Sequence, residues 1–103
     1  MLFHVTMTHT VDECPGYNHE KLPAMGKAMA GMEARAKELN VKTLFVVNAA
    51  PEHVSYGLFE ADDAYSLAQL LTDVPLRQDF KVNAVEYMED IMKRAMAEAA
   101  ARG

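Results

Sequence analysis

Three residues near the start of the chain, His9, Cys14 and His19, stand at equal intervals. A thiolate with two imidazoles is a sensible donor set for zinc, copper or haem iron. The interval matches no standard zinc pattern, and unliganded histidines on a surface loop are the commoner outcome for such a spacing. Cys14, the single cysteine, also reads as a nucleophile, because a thiol near a helix start and beside histidine is readily ionised. A passive loop cysteine next to Pro15 and Gly16 is the plainer alternative.

A different kind of candidate is His4, inside an alternating apolar segment. Its imidazole suits general acid or base work on a carbon next to a carbonyl, and a hydrogen-bonded structural histidine is the competing reading. Glu33 is a candidate carboxylate, although Arg35 and Lys37 nearby give it the surroundings of a solvated helix face. Tyr17, His53, Tyr56 and Tyr65 are candidate donors to a substrate pocket, or ordinary packed side chains with one wet end.

The elements that must position these residues follow from periodicity. Leu2 to Thr8 alternates Phe3, Val5 and Met7 against Leu2, His4, Thr6 and Thr8, the pattern of a strand with Phe3, Val5 and Met7 toward the core. Asp12-Glu-Cys-Pro-Gly16 then turns the chain. From Leu22 to Leu39, Met25, Met29, Met32, Ala36 and Leu39 recur at helical spacing, with Pro23 in the first turn and Asn40 placed to end the helix.

Lys42 to Ala49 is rich in β-branched and apolar residues and reads as a strand covered on both faces. His53 to Glu60 alternates and should form a hairpin with it. Asp62 and Asp63 are helix-capping residues before a helix from Ala64 to Val74, which Pro75 ends. Phe80 to Tyr87 is a fourth strand. Met88 to Arg102 is an Ala-rich helix with Met88, Met92, Met96 and Ala99 in one stripe.

The order β-α-β-β-α-β is that of an α+β, ferredoxin-like domain over 1–103: a four-stranded antiparallel sheet with both helices on one face, plus a C-terminal helix. The other sheet face carries apolar residues such as Leu2 and Val46 or Val47 and needs a cover, for which sheet-against-sheet dimerisation into a dimeric α+β barrel is the simplest. The C-terminal helix has no place in this two-layer unit and reads as an oligomerisation extension. The eight methionines fit flexible core and interface filling rather than copper transport.

Composition narrows the rest. A length of 103 residues is one domain, and the 50% hydrophobic and 24% charged fractions are those of a soluble globular chain. A net charge of -5, with Lys and Arg scattered, argues against a nucleic-acid partner. No apolar run reaches membrane-spanning length and no signal segment opens the chain, so no membrane partner and a cytoplasmic location are expected. One cysteine cannot form an internal disulfide, which leaves packing and partner subunits as sources of stability.

Two stretches resemble the muconolactone isomerases of aromatic catabolism. Met1-Leu-Phe-His-Val-Thr-Met7 is similar to that family's first strand. Tyr56-Gly-Leu-Phe-Glu60, then Asp62 to Leu71 and Val74-Pro-Leu76, are similar to its third strand, second helix and the approach to its last strand. Together they cover about half of the chain. The resemblance implies a dimeric α+β barrel subunit in a larger ring-like oligomer, and cofactor-independent proton transfer on a small lactone with a carboxylate from the first helix. That carboxylate's position falls here near Met29, with Glu33 the nearest acid. Leu44 and Phe45 replace the family's aromatic residues in the second strand, and Thr8 to Glu20 differs altogether, which makes the chain a diverged member.

The expected function is therefore an isomerase-like enzyme without cofactor, moving a proton on a small polar, lactone or aromatic-derived metabolite, with His4, Glu33 and Cys14 as catalytic candidates. Alternatives are a metal- or haem-binding protein built on His9, Cys14 and His19, and a non-catalytic homo-oligomer that binds a small molecule.

Overall fold

Alternation in the opening segment has a direct structural consequence. In the computed structural model, which describes all residues from Met1 to Gly103, β1 (Leu2–Thr8) buries Phe3, Val5 and Met7 and leaves the residues between them half-exposed. It is an interior strand of a four-stranded sheet of order β2-β3-β1-β4, with β2 spanning Lys42–Ala49, β3 Val54–Glu60 and β4 Asp79–Val85. All neighbours are antiparallel.

Two helices cover the Phe3 side, α1 (Leu22–Glu38) and α2 (Ala64–Thr72). The core is small: Phe3, Val5, Met7 and Phe59 from the sheet meet Leu67, Leu70 and Leu71 of α2 and Ala36 of α1. These elements give the ferredoxin-like β-α-β-β-α-β order, followed by α3 (Met88–Arg102).

Local chemistry explains the boundaries. Asp63 caps α2 by accepting a 2.7 Å hydrogen bond from the Ser66 backbone N–H. Past the end of α1, Asn40 adopts a left-handed φ of 56°. Val41 N–H then donates to Ala36 O at 2.8 Å, and Asn40 N–H to Lys37 O at 3.1 Å. These two bonds form a Schellman motif, and it drops Val41 into the core as β2 begins. Arg35 Nε donates to Asp73 Oδ2 at 2.7 Å, tying α1 to the last turn of α2, and this carboxylate holds the guanidinium pKa above its ordinary value.

Three expectations are corrected. β2 is an edge strand and not a doubly covered one: Phe45, Val46 and Val47 are all exposed, because no element of the chain lies outside it. The α1 stripe is narrower than its periodicity, since Met32 and Ala36 pack on the core while Met29 is 62% exposed. The third strand starts at Val54 because His53, at φ 56° and ψ 40°, belongs to the tight connection after the 3-10 turn Ala50–Glu52.

No residue of α3 is buried. The helix projects from the body, which gives the molecule extents of 63 × 31 × 17 Å. Arg94 fastens its first turns to the end of β4 through a two-pronged contact with Glu86, at 2.7 and 3.2 Å. No helix is long and apolar enough to cross a membrane.

Candidate functional site

Two places gather the chemistry-bearing residues. The first is the end of the sheet where β1 runs out and the β2–β3 connection returns. His9 follows β1 directly, and its backbone N–H donates to His53 O at 3.3 Å, which continues the β1–β3 pairing by one step. The left-handed backbone at His53 aims its ring at His9, with Nδ1 of His53 3.4 Å from Nε2 of His9 and the rings edge to face. A non-glycine residue held in that conformation costs about 1 kcal/mol, although histidine tolerates it better than most.

Cys14 reaches the same point from the loop. The segment Val11–Glu13 is a 3-10 turn that Cys14 ends, its N–H donating to Val11 O at 3.1 Å. The Cys14 carbonyl in turn accepts from the N–H groups of Tyr17 and Asn18 at 3.0 and 2.8 Å. A Lys21–Glu13 ion pair at 2.9 Å spans the same loop. The result is that one ligand atom each from His9, Cys14 and His53 lie within 4.8 Å of one another, all three residues half-buried. Tyr17 stacks at an angle on His53, ring centroids 5.7 Å apart.

The convergent set thus differs from the one suggested by sequence spacing. His19 is in the 3-10 turn His19–Lys21 and directs Nε2 to Gly16 O at 3.1 Å, while His53, read from sequence as a pocket residue, takes its place. The sequence carries one weak sign of this: β1 and β3 pair antiparallel, so a histidine just after one strand faces a histidine just before the other. Desolvation, and then repulsion from His53, lower the His9 pKa below the ordinary 6.5 and favour its neutral form, the form that binds metal. Cys14 stands at the C-terminal end of its 3-10 turn and not at the start of a helix.

The second place is the sheet face away from the helices. His4 is central on it, paired across to Leu58 on β3 and Asn83 on β4, with the Tyr56 ring 6.1 Å away. Leu2, Leu58, Phe45 and Val47 give this face its apolar ground, with Phe45 42% and Val47 53% exposed.

Glu33 does not share this face. It is exposed on α1, on the opposite side of the sheet, where it lines a wide groove with Met29, Lys37, Met1 and Ile91. Tyr65 is exposed near the start of α2.

No family model matches the chain, and no curated protein matches it. Solved structures do. A crystal structure of muconolactone isomerase is 24% identical, with 82% of this chain and 88% of that chain covered and a TM-score of 0.53. The shared property is the fold. That structure carries the same α+β arrangement, in agreement with the strand order and helix placement above. Protein Atu4242 from Agrobacterium tumefaciens is also similar, at 13% identity and a TM-score of 0.48, with 85% of this chain and 96% of that chain covered.

Proposed function

We propose that the chain is a diverged relative of the muconolactone isomerases, a cofactor-independent enzyme that moves a proton on a small polar carbonyl compound such as a lactone, with His4 as the acid and base. The observation that carries this reading is the position of His4: central on the sheet face away from the helices, among Leu2, Leu58, Thr6 and Asn83, and beside Tyr56. An imidazole there takes a proton from a carbon next to a carbonyl and returns it to another carbon of the same conjugated system. Tyr56, on the same face with its ring 6.1 Å from that of His4, is assigned as the donor to the developing enolate oxygen, which stabilises charge where it appears. The likeness to a solved muconolactone isomerase supports the lactone as substrate class.

A single exposed face does not exclude water. The proposal therefore includes a second copy of the chain, sheet against sheet, which would cover Phe45, Val47 and Leu58 and enclose the His4 faces between two subunits. Such closure strengthens every electrostatic contact inside. Glu33 has no part in this mechanism within one subunit, because the sheet separates it from His4.

Solvent deuterium incorporation into muconolactone and related lactones, followed by NMR, tests the reading. The parent protein should exchange the proton next to the carbonyl, and His4→Ala should slow this by about 10²-fold or more. Exchange by His4→Ala at the parent rate would overturn the role of His4.

A further inference from the structure

We propose that His9, Cys14 and His53 form a binding site for one divalent late transition-metal ion, Zn2+ or a close equivalent, held by two imidazole nitrogens and one thiolate with a fourth position open to water or a ligand atom. The site is independent of His4 and of the proton-transfer reading.

The geometry argues for it. The two nitrogens stand 3.4 Å apart. That is long for a hydrogen bond between neutral rings, whereas two nitrogens each about 2.0–2.1 Å from a tetrahedral zinc are about 3.3–3.4 Å apart. The Cys14 sulfur lies within 4.8 Å of a ligand nitrogen of each histidine, and a shared zinc, which places sulfur and nitrogen roughly 3.5 Å apart, requires it to close by about 1 Å.

The three ligands come from the end of β1, the loop after it and the β2–β3 connection, each fixed by its own backbone contacts. His9 N–H donates to His53 O, the Cys14 carbonyl accepts from Tyr17 and Asn18, and His53 is held by the bond from its N–H to Ala50 O at 3.2 Å. His53 keeps its left-handed backbone in a position where glycine would be relaxed. That strain is accounted for if the imidazole, and not the backbone, is what the position needs.

The donor chemistry selects the ion. Nitrogen and thiolate donors suit zinc, copper or cobalt and not calcium or magnesium. A haem held by both imidazoles does not fit, because two axial ligands stand on opposite faces of the ring, and nitrogens 3.4 Å apart leave no room for a macrocycle between them. On binding, the Cys14 thiol gives its proton to solvent and the sulfur donates to the metal, with no change of oxidation state.

The test uses untagged full-length protein, stripped with a chelator and titrated with Zn2+ and with Co2+. The expected result is one ion per chain. The cobalt form should show near-ultraviolet thiolate-to-cobalt absorption and the visible bands of four-coordinate cobalt. Cys14→Ser should abolish the thiolate band, and His9→Gln and His53→Gly should each weaken binding at least about tenfold, while His19→Gln leaves it unchanged. His53→Gly suits the backbone at that position, so its loss of binding is separable from loss of fold by circular dichroism.

Alkylation of Cys14 in the parent protein, with and without Zn2+, needs no variant, and slower alkylation with zinc is the supporting outcome. Unchanged alkylation, absence of the thiolate band in the parent, or a His19→Gln effect as large as that of His53→Gly would overturn the site. His4→Ala should bind the ion like the parent, so failure of the metal site and failure of the proton-transfer role give different results.

Discussion

Gly57 is opposite Val5 in the sheet, and the ring of Phe59 folds over it. A Cβ there would lie 2.5 Å from the Phe59 ring, closer than any real contact. Gly57→Ala should therefore displace Phe59 from the core and lower stability by about 1–3 kcal/mol in urea unfolding. Asp63 gives a second test at this scale. Its carboxylate accepts from the Ser66 backbone N–H, which holds its pKa below the ordinary 3.8. The folded state thus binds fewer protons than the unfolded state. The stabilisation is fully present above the unfolded value and is lost as pH falls through the lower folded one. Asp63→Ala should lower Tm at pH 7, and the gap to the parent should close in acid below pH 3.8, whereas Asp63→Asn, which keeps an acceptor, should lose less.

At the scale of elements, the division of labour between α2 and α1 is unequal. Leu67, Leu70 and Leu71 make α2 the helix that closes the core, and α1 contributes Ala36 fully and Met32 in part. Leu67 is 1% exposed, so Leu67→Ala should cost about 2–5 kcal/mol in chemical denaturation, the range for a large-to-small change in a packed core. Met29→Ala should cost less than 1 kcal/mol in the isolated chain, in line with a surface substitution. A larger loss would mean that Met29 is covered by another subunit.

Taken as one molecule, the chain buries 11 of its 103 residues, which is a thin core for a domain of this length. Its exposed large hydrophobics include two groups that share a face, Phe45 and Val47 on the His4 side of the sheet and the Met88, Met92, Met96 stripe of α3. Each is longer than isolated surface hydrophobics would be, and each suits contact with another copy of the chain. Removal of residues 88–103 should lower the mass in solution by light scattering while leaving the β-sheet signal intact. Val47→Asp should likewise favour the smaller species through the sheet face, and an unchanged mass in both would remove the oligomer from the proposed enzyme.

Secondary structure was legible because it is written in short-range periodicity. The alternation of Phe3, Val5 and Met7, the cap at Asp63 and the turn at Asn40 are decided within a few residues, and from their order the ferredoxin-like topology follows. The sequence also determined that His4 points away from the core, since neighbours on a strand face opposite ways. What only the tertiary structure decided is which distant residues meet. Equal spacing joined His9 and Cys14 to His19, but a loop that coils through a 3-10 turn turns His19 aside, and antiparallel pairing of β1 with β3 brings in His53 from 44 residues away. The separation of Glu33 from His4 has the same origin: both are polar residues in amphipathic elements, and only the stacking of helix on sheet puts them on opposite sides.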